Sequence, residues 1–385
     1  MPRFNLKLIS LLFSITFFFA SMGYGQIKYF KRYSSMESSL NFNSISVLHD
    51  STYLLVGQEF GPNGGNYFIL KTDSNGNEIW RSANKLFDGD NNSNNLTSGI
   101  ELENASVILC GQISSNSSSR SNSQFYIVKV DSLGQKVWER IFGSDKNEAF
   151  SNMQIQDSCF LFVGSRWKAP QSELVLMKTK ANGDSLWEKT YNFKPYSVKA
   201  KFICPNGSNL LIVGTITDTL SFYRRSILLN INESGEMISN YIISDTINNS
   251  VLNCQSINGK INVTTQNSSS SCSYSLIIRL DSNLVEIERN RVSTLSCAFF
   301  FPNNILIGTT PSLNLLIYRL SGELLGNELF DVEFGAVNDI NIDSKRNIVC
   351  IGSIKEDQTS SGVGFFLKAK ALISAGKLIK DHNNK

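Results

Sequence analysis

The sequence predicts an all-β fold: a seven-bladed β-propeller of four-stranded antiparallel blades, closed by a terminal strand. Three recurring features predict it. An apolar run ends at Gly57, Gly111, Gly164, Gly214, Thr265, Gly308 and Gly352, at intervals of 54, 53, 50, 51, 43 and 44 residues. A second apolar run follows each of these, from "YFILKTD" in the first unit to "GFFLKAK" in the last. Then comes a motif of acid, Gly and Trp, present as "DSNGNEIW" and "DSLGQKVW", nearly so as "KANGDSLW", and worn down to "NESGEMI", "DSNLVEI" and "LSGELL".

The chain opens with Arg3 and Lys7, an apolar run from Leu8 to Ala20, and small residues after it. That is the order of a secretory signal peptide, and Gly23 and Gly25 suit the positions before a cleavage site. Residues 1–25 are therefore expected to be the signal and 26–385 the propeller. No Cys follows the apolar run, which disfavours a lipid anchor. Loss of Arg3 and Lys7 takes the formal charge of +3 down by two, to +1. So small a charge, with no basic run, points away from nucleic acid. No later segment is apolar for 18 residues, so no transmembrane segment is expected once the signal is removed. The expected location is outside the cytoplasm: periplasmic, cell-surface-associated or secreted.

Ring closure comes next along the chain. The segment "QIKYFKRYSS" is similar to the fourth-strand segments "EIWRSANKLF" and "KVWERIFGSD". A strand over Lys28–Tyr33 is therefore expected to complete the last blade and remove two exposed edges. The alternative donor is "GKLIKD" at Gly376–Asp381.

Within each unit, four runs of β-branched and aromatic residues are separated by Gly, Asn, Asp and Ser, the mark of hairpin-linked strands. The middle two runs are apolar at nearly every position, which requires burial on both faces. The motif itself reads as a hairpin. Asp73 caps a turn, Asn75-Gly76 supplies left-handed backbone, and Trp80 restarts the strand where it packs between blades. Calcium-loop spacing is missing from it, and the acidic stretch Asp88–Asn95 lacks the turn Gly and the twelfth-position acid, so no metal is expected. Lys71, Lys129, Lys178, Asn230, Arg279, Arg319 and Lys368 are placed two residues before the motif; six of the seven are basic, with their charged heads expected beside turn carboxylates.

The units resemble the tryptophan-motif repeats of pyrroloquinoline-quinone enzymes and their non-enzymatic relatives, where an acid, a Gly and a Trp span the outer hairpin. They resemble more closely the exported repeat propellers of Bacteroidetes. "FGSDKNEAFSNMQIQDSCFLFVGS" followed by "ELVLMKTKANGDSLWEKTY" carries this second likeness. The resemblance implies architecture and export, and little chemistry. The quinone enzymes have eight blades and an acidic metal cluster; seven units and a motif without Trp in four of them imply no such cofactor here. The sialidase Asp-box is also similar, but the spacing here is one residue longer on each side of Gly.

Chemistry is sparse elsewhere. The two histidines are His49 and His382, and no metalloprotease, phosphate-loop or nucleophile-elbow motif occurs. Seven cysteines without a C-x-x-C pair are expected to be mostly free and buried, with one or two disulfides left open. Connections between second and third strands read as long and varied, and so do those between blades. Both kinds open on one face, where binding is built. Two clusters on that face are candidate ligand contacts: Arg166, Trp167 and Lys168, with Trp167 as a stacking platform in a loop, and Tyr223, Arg224 and Arg225. The expected function is a non-catalytic binding or scaffolding module for a protein or carbohydrate, without cofactor. The alternative is a carboxylate-dependent glycoside hydrolase or lyase at the channel mouth, which requires close carboxylates there.

Overall fold

The computed structural model of the chain describes residues 27–33, 39–61, 64–84, 93–114, 122–301, 305–310, 314–329, 335–354 and 363–370. The expected signal peptide, Asp88–Asn92, Gly376–Asp381 and His382 lie outside the described residues.

Seven four-stranded antiparallel sheets form the blades of a β-propeller. Strand β1 (Ile27–Tyr33) comes first in the chain. Blade 1 holds β2 (Ser39–Val47), β3 (Tyr53–Gly61), β4 (Gly64–Thr72) and β5 (Glu78–Asn84). Blade 2 holds β6 (Ser93–Glu101), β7 (Val107–Ser114), β8 (Ser123–Val130) and β9 (Lys136–Phe142). Blade 3 holds β10 (Asn147–Gln156), β11 (Cys159–Lys168), β12 (Gln171–Thr179) and β13 (Ser185–Tyr191). Blade 4 holds β14 (Ser197–Asn206), β15 (Asn209–Thr217), β16 (Arg224–Ile231) and β17 (Met237–Ile243). Blade 5 holds β18 (Asn248–Ile257), β19 (Lys260–Ser268), β20 (Ser273–Asp281) and β21 (Glu286–Val292). Blade 6 holds β22 (Cys297–Phe301), β23 (Ile305–Thr309), β24 (Asn314–Arg319) and β25 (Leu324–Leu329). Blade 7 holds β26 (Gly335–Ile342), β27 (Asn347–Ile354) and β28 (Val363–Lys370), and takes β1 as its outer strand.

The N-terminal strand therefore closes the ring, with Lys31 opposite Phe366 and Tyr33 opposite Gly364. The Tyr33 hydroxyl then donates to the Gly76 carbonyl of blade 1 at 2.6 Å, so the closing strand grips both blades it joins.

The continuous apolar runs are explained by the stacking. Alternate residues of one strand enter different cores: Leu161 and Val163 of β11 pack towards blade 4, while Phe160 and Phe162 pack towards blade 2. Each blade–blade interface has its own apolar cluster, so both faces of the middle strands are buried.

The recurrent Gly records a bulge. In β2, β6, β10, β14, β18 and β26 the pairing with the next strand shifts at Asn43, Thr97, Ser151, Lys201, Leu252 and Asn338. The bulge tips a carbonyl of the inner strand over the neighbouring run. A Cβ on Gly111 would lie 1.9 Å from the Asn95 oxygen, which only Gly avoids.

The three motif tryptophans are inter-blade wedges, as expected. Trp80 covers Gly134 of blade 2, Trp138 covers Gly183 of blade 3, and Trp187 covers Gly235 of blade 4. Trp80 also donates through Nε1 to the Ser132 carbonyl at 3.0 Å. The series stops where the receiving Gly does. Blade 5 has Leu284 in that turn at φ 67, itself buried, and blade 4 carries Ser239 in place of Trp.

The charged row meets turn carboxylates at Lys71 and Lys368, but its register in blade 6 is corrected and the turn is not the motif's own. The turn of blade 6 begins at Arg319, whose N–H reaches the Glu323 carbonyl as Asp73 reaches Asn77, so Arg319 sits at the motif's first position. The residue opposite the lost Trp there is Ile317, facing Gly326. The buried lysines also choose a different carboxylate. Lys71 pairs with Asp50 at 3.0 Å and Lys368 with Asp343 at 3.0 Å, both in the turn between the blade's first two strands. Lys71 and Asp73 share a face, but Asp73 is committed to Asn75 and Asn77 of its own turn.

All seven thiols are free. His49 rests on Glu101 of blade 2 at 2.8 Å, in a first-to-second strand turn.

Candidate functional site

Turns between first and second strands and between third and fourth strands share one end of the propeller. The second-to-third connections and the blade-to-blade crossings share the other. In blades 3 to 5 the first-to-second turns are the two-residue steps Asp157-Ser158, Gly207-Ser208 and Asn258-Gly259. At the other end, the connection is Ala169-Pro170 in blade 3, Asp218–Tyr223 in blade 4 and Ser269–Cys272 in blade 5. This corrects the first predicted cluster. The strands of blade 3 run out to a tight turn, so Trp167 lies in β11, opposite Asn147 and Ser172, and not in a loop. The sequence stretch "SRWKAPQS" is polar enough to read as loop because it pairs beyond the blade's core.

Arg166 is the centre of a charged network. Its Nε donates to Glu148 at 2.5 Å and its two terminal nitrogens to Glu188 at 2.8 and 3.1 Å. Glu173 lies 3.8 Å away and is held at 2.9 Å by Lys146. Glu148 is buried and also accepts from the Ser144 N–H and hydroxyl. Burial works to lower the Arg166 pKa, and the bonds from Glu188 and Glu148 overcome it and hold the guanidinium firmly charged. Three carboxylates meet two cations here, so the group is nearly neutral and tied together. Trp167, one residue on, is 43% exposed.

The second cluster divides in the same way. Arg224 is exposed at the start of β16. Arg225 packs its guanidinium over the Tyr196 ring, 5.6 Å from the centroid. The Tyr223 hydroxyl donates to the carbonyls of Asp245 and Ile247 in the crossing to blade 5. Of the six predicted residues, Trp167 and Arg224 face solvent, while Arg166, Tyr223 and Arg225 have partners within the chain. Lys168 ends β11 beside Trp167.

Among the described residues, the most exposed apolar side chains on this face lie outside the two predicted clusters. Leu220 is 89% exposed and Phe222 74%, both in the turn that links β15 to β16. The turn is held firmly. The Asp218 carboxylate accepts the N–H groups of Leu220 at 2.8 Å and Ser221 at 3.0 Å, which keeps its pKa low. Asp218 N–H bonds the Tyr223 carbonyl, and Phe222 N–H returns to the Asp218 carbonyl. Thr219 ties the turn down to the Pro195 carbonyl at 3.0 Å. Phe222 adopts φ 58, a conformation that disfavours bulky side chains. Lys194 and Lys199 are exposed on the neighbouring crossing and inner strand. The sequence clue was a pair of large apolar residues inside the otherwise polar "TDTLSFY".

The channel wall is built by the bulges. Each bulged side chain reaches the carbonyl just before the bulge of the next blade. Asn338 bonds Phe42 O at 2.7 Å, Asn43 bonds Leu96 O at 2.7 Å, and Thr97 bonds Phe150 O at 2.8 Å. Ser151 bonds Ala200 O at 2.9 Å, and Lys201 bonds Val251 O at 2.5 Å. The apolar Leu252 instead packs towards blade 6. Lys201 and Asp339 bring opposite charges into this wall. Burial lowers the Lys201 pKa, and burial raises that of Asp339 to about 6 although the Ile45 and Ile340 N–H groups bond its carboxylate.

No protein-family model matches the chain, and no curated protein matches it. Solved structures do. A puromycin hydrolase mutant complexed with PGG aligns with TM-score 0.57 and 10% identity over 82% of this chain and 50% of that one. The chain thus spans half of that hydrolase. Drosophila Plexin A in complex with Semaphorin 1b aligns with TM-score 0.52 and 7% identity over 90% of this chain and 87% of that one. BamB from Moraxella catarrhalis is also similar, with TM-score 0.48 and 10% identity over 89% of this chain and 99% of that one. At such identities the likeness is one of fold, the β-propeller.

Proposed function

We propose that this protein is an exported, non-catalytic docking module that binds a protein partner through the second-to-third strand hairpins of blades 3 and 4. One observation carries the reading: Leu220 and Phe222 stand almost fully in water on a turn that Asp218 and Thr219 lock in place. Exposed apolar side chains on a rigid support are the anchors of protein interfaces, because little ordering entropy opposes their burial. Exposed Lys194, Lys199 and Arg224 favour a partner with acidic residues around an apolar pocket. Trp167 extends the same face onto blade 3. Export is supported by the leader pattern from Arg3 to Ala20 and by the resemblance to exported repeat propellers. Plexin A, a neighbour in fold, was solved in complex with another protein, Semaphorin 1b.

The test is photo-crosslinking in the producing cells, with p-benzoylphenylalanine placed at Leu220 or Phe222, and at Leu133 on the opposite end as control. A discrete protein adduct from 220 or 222, weakened by Arg224→Glu, is the expected result. No adduct, or an equal one from 133, refutes the proposal. A carbohydrate ligand would instead give glycan-array binding that Trp167→Ala abolishes.

The second reading is a carboxylate-dependent glycoside hydrolase or lyase, favoured by the convergence of Glu148, Glu173 and Glu188 on Arg166. It needs a carboxyl free to exchange a proton with substrate. These three are spent on Arg166 and Lys146, which makes binding the better reading.

A further inference from the structure

The inner strands of neighbouring blades meet at a second repeating position, just beyond the bulges. The residue three after one bulge faces the residue two after the next blade's bulge. Between blades 1 and 2 this brings the Ser46 hydroxyl to the Gly99 carbonyl at 2.7 Å. Between blades 7 and 1 it brings the Asn341 amide to the Ile45 carbonyl at 3.2 Å. Between blades 4 and 5 the same two positions are Cys204 and Cys254, counted from the bulges at Lys201 and Leu252.

The facing is confirmed by the cores. Cys254 belongs to the apolar cluster between blades 4 and 5, and Cys204 packs against that cluster beside Phe202. Strand parity accounts for this: Val198, Ala200 and Ile203 of β14 turn towards blade 3, which leaves Phe202 and Cys204 turned towards blade 5. The neighbouring Cys204 thiol, with burial, raises the Cys254 pKa well above that of a free thiol. Cys254 is 8% exposed, and Cys204 is the more accessible of the two.

We propose that Cys204 and Cys254 are a redox pair that forms a disulfide stapling blade 4 to blade 5. The oxidant is a small disulfide, such as glutathione disulfide, or an oxidised dithiol protein. The Cys204 thiol loses its proton, its sulfur attacks one sulfur of the oxidant, and the oxidant's S–S bond breaks to release one thiol. The Cys254 thiol then loses its proton and attacks the Cys204 sulfur, and the second oxidant thiol leaves. Two cysteine thiols are oxidised to one disulfide and one disulfide is reduced to two thiols. Of the other five, Cys297 and Cys350 share the cluster between blades 6 and 7 but are both buried, Cys110 is buried, Cys159 begins β11, and Cys272 is exposed at the tip of a blade 5 hairpin.

The bond closes a loop across a blade boundary, so it restricts the unfolded chain and resists separation of the two blades. The test uses the full chain incubated with glutathione disulfide, denatured, alkylated with iodoacetamide and digested without reductant. The expected product is a peptide pair linked through Cys204 and Cys254, two hydrogen masses lighter than the sum of its parts, with Cys110, Cys297 and Cys350 alkylated. Alkylation of both Cys204 and Cys254 after the incubation, or linkage of Cys204 to another cysteine, overturns the proposal. A thermal melt gives a second measure: the oxidised protein melts a few degrees above the reduced one, and Cys204→Ser removes that difference. Equal melting of oxidised and reduced wild type also overturns it.

Discussion

Replacement of Gly134 by Ala tests the wedge that couples blade to blade. Gly134 holds φ 79, and an added Cβ would lie 2.7 Å from Cζ3 and 2.8 Å from Cε3 of Trp80. The left-handed backbone alone costs an L-residue about 1–2 kcal/mol. Forcing the indole aside adds roughly 1–3 kcal/mol of overpacking. Loosening its 3.0 Å bond to the Ser132 carbonyl adds about 1 kcal/mol. Gly134→Ala is therefore expected to lower stability by roughly 3–6 kcal/mol. Gly207 calibrates the first term, since it has φ 64 and nothing within 4 Å of its added Cβ. Gly207→Ala should cost only the backbone's about 1–2 kcal/mol. In a Trp80→Ala background the steric part disappears, and Gly134→Ala should cost no more than Gly207→Ala does. Urea unfolding followed by circular dichroism measures all four variants, and the double-mutant cycle isolates the coupling. Equal costs of Gly134→Ala with and without the indole would refute the wedge.

Two further predictions concern buried charge. The Asp339 carboxyl, pushed by burial from 3.8 up to about 6, holds its proton more tightly in the folded chain than in the unfolded one. Its contribution is present below pH 3.8 and lost as pH rises through about 6, an unfavourable change of about 3 kcal/mol. The stability of wild type minus that of Asp339→Ala should fall across that window and be level above it; a flat difference from pH 4 to 7 contradicts this. Arg166→Ala leaves Glu148 buried without its cation and is expected to cost about 3–5 kcal/mol in urea unfolding. Glu148→Gln added to it should recover a large part, and no recovery would mean that Arg166 acts through packing alone.

Much of the fold was legible because every blade meets the same two neighbours. Strands such as "FLFVG" and "ELVLM" are apolar throughout since alternate residues feed cores on opposite sides, and that requirement repeats unit by unit. The acid-Gly-Trp hairpin was legible for the same reason: Trp138 needs the Gly183 turn of the following blade, so both recur. Where the repeat wears down, local reading slipped. Blade 6 has short strands and no bulge between its first two, and the charged row falls two residues out of register at Arg319. Trp167 was read as loop because polarity marks exposure, and an exposed strand end is as polar as a loop.

Seven blades of four strands were legible in the chain's repeat alone, and the likeness of Lys28–Tyr33 to the fourth strands favoured it as the closing strand. Those follow from periodic spacing and from burial on two faces, which every segment carries in its own composition. Only the tertiary structure decided which chemistry shares a place. The binding of Arg166 by Glu148, Glu173 and Glu188, the hydrogen-bonded belt from Asn338 to Lys201, and the packing of Cys204 against the cluster that holds Cys254 all join residues from different strands or blades. Such pairs depend on the twist and register that bring one inner strand against the next. The locked exposure of Leu220 and Phe222 likewise rests on the bonds of Asp218 and Thr219, which hold the turn against the collapse that apolar side chains would otherwise favour.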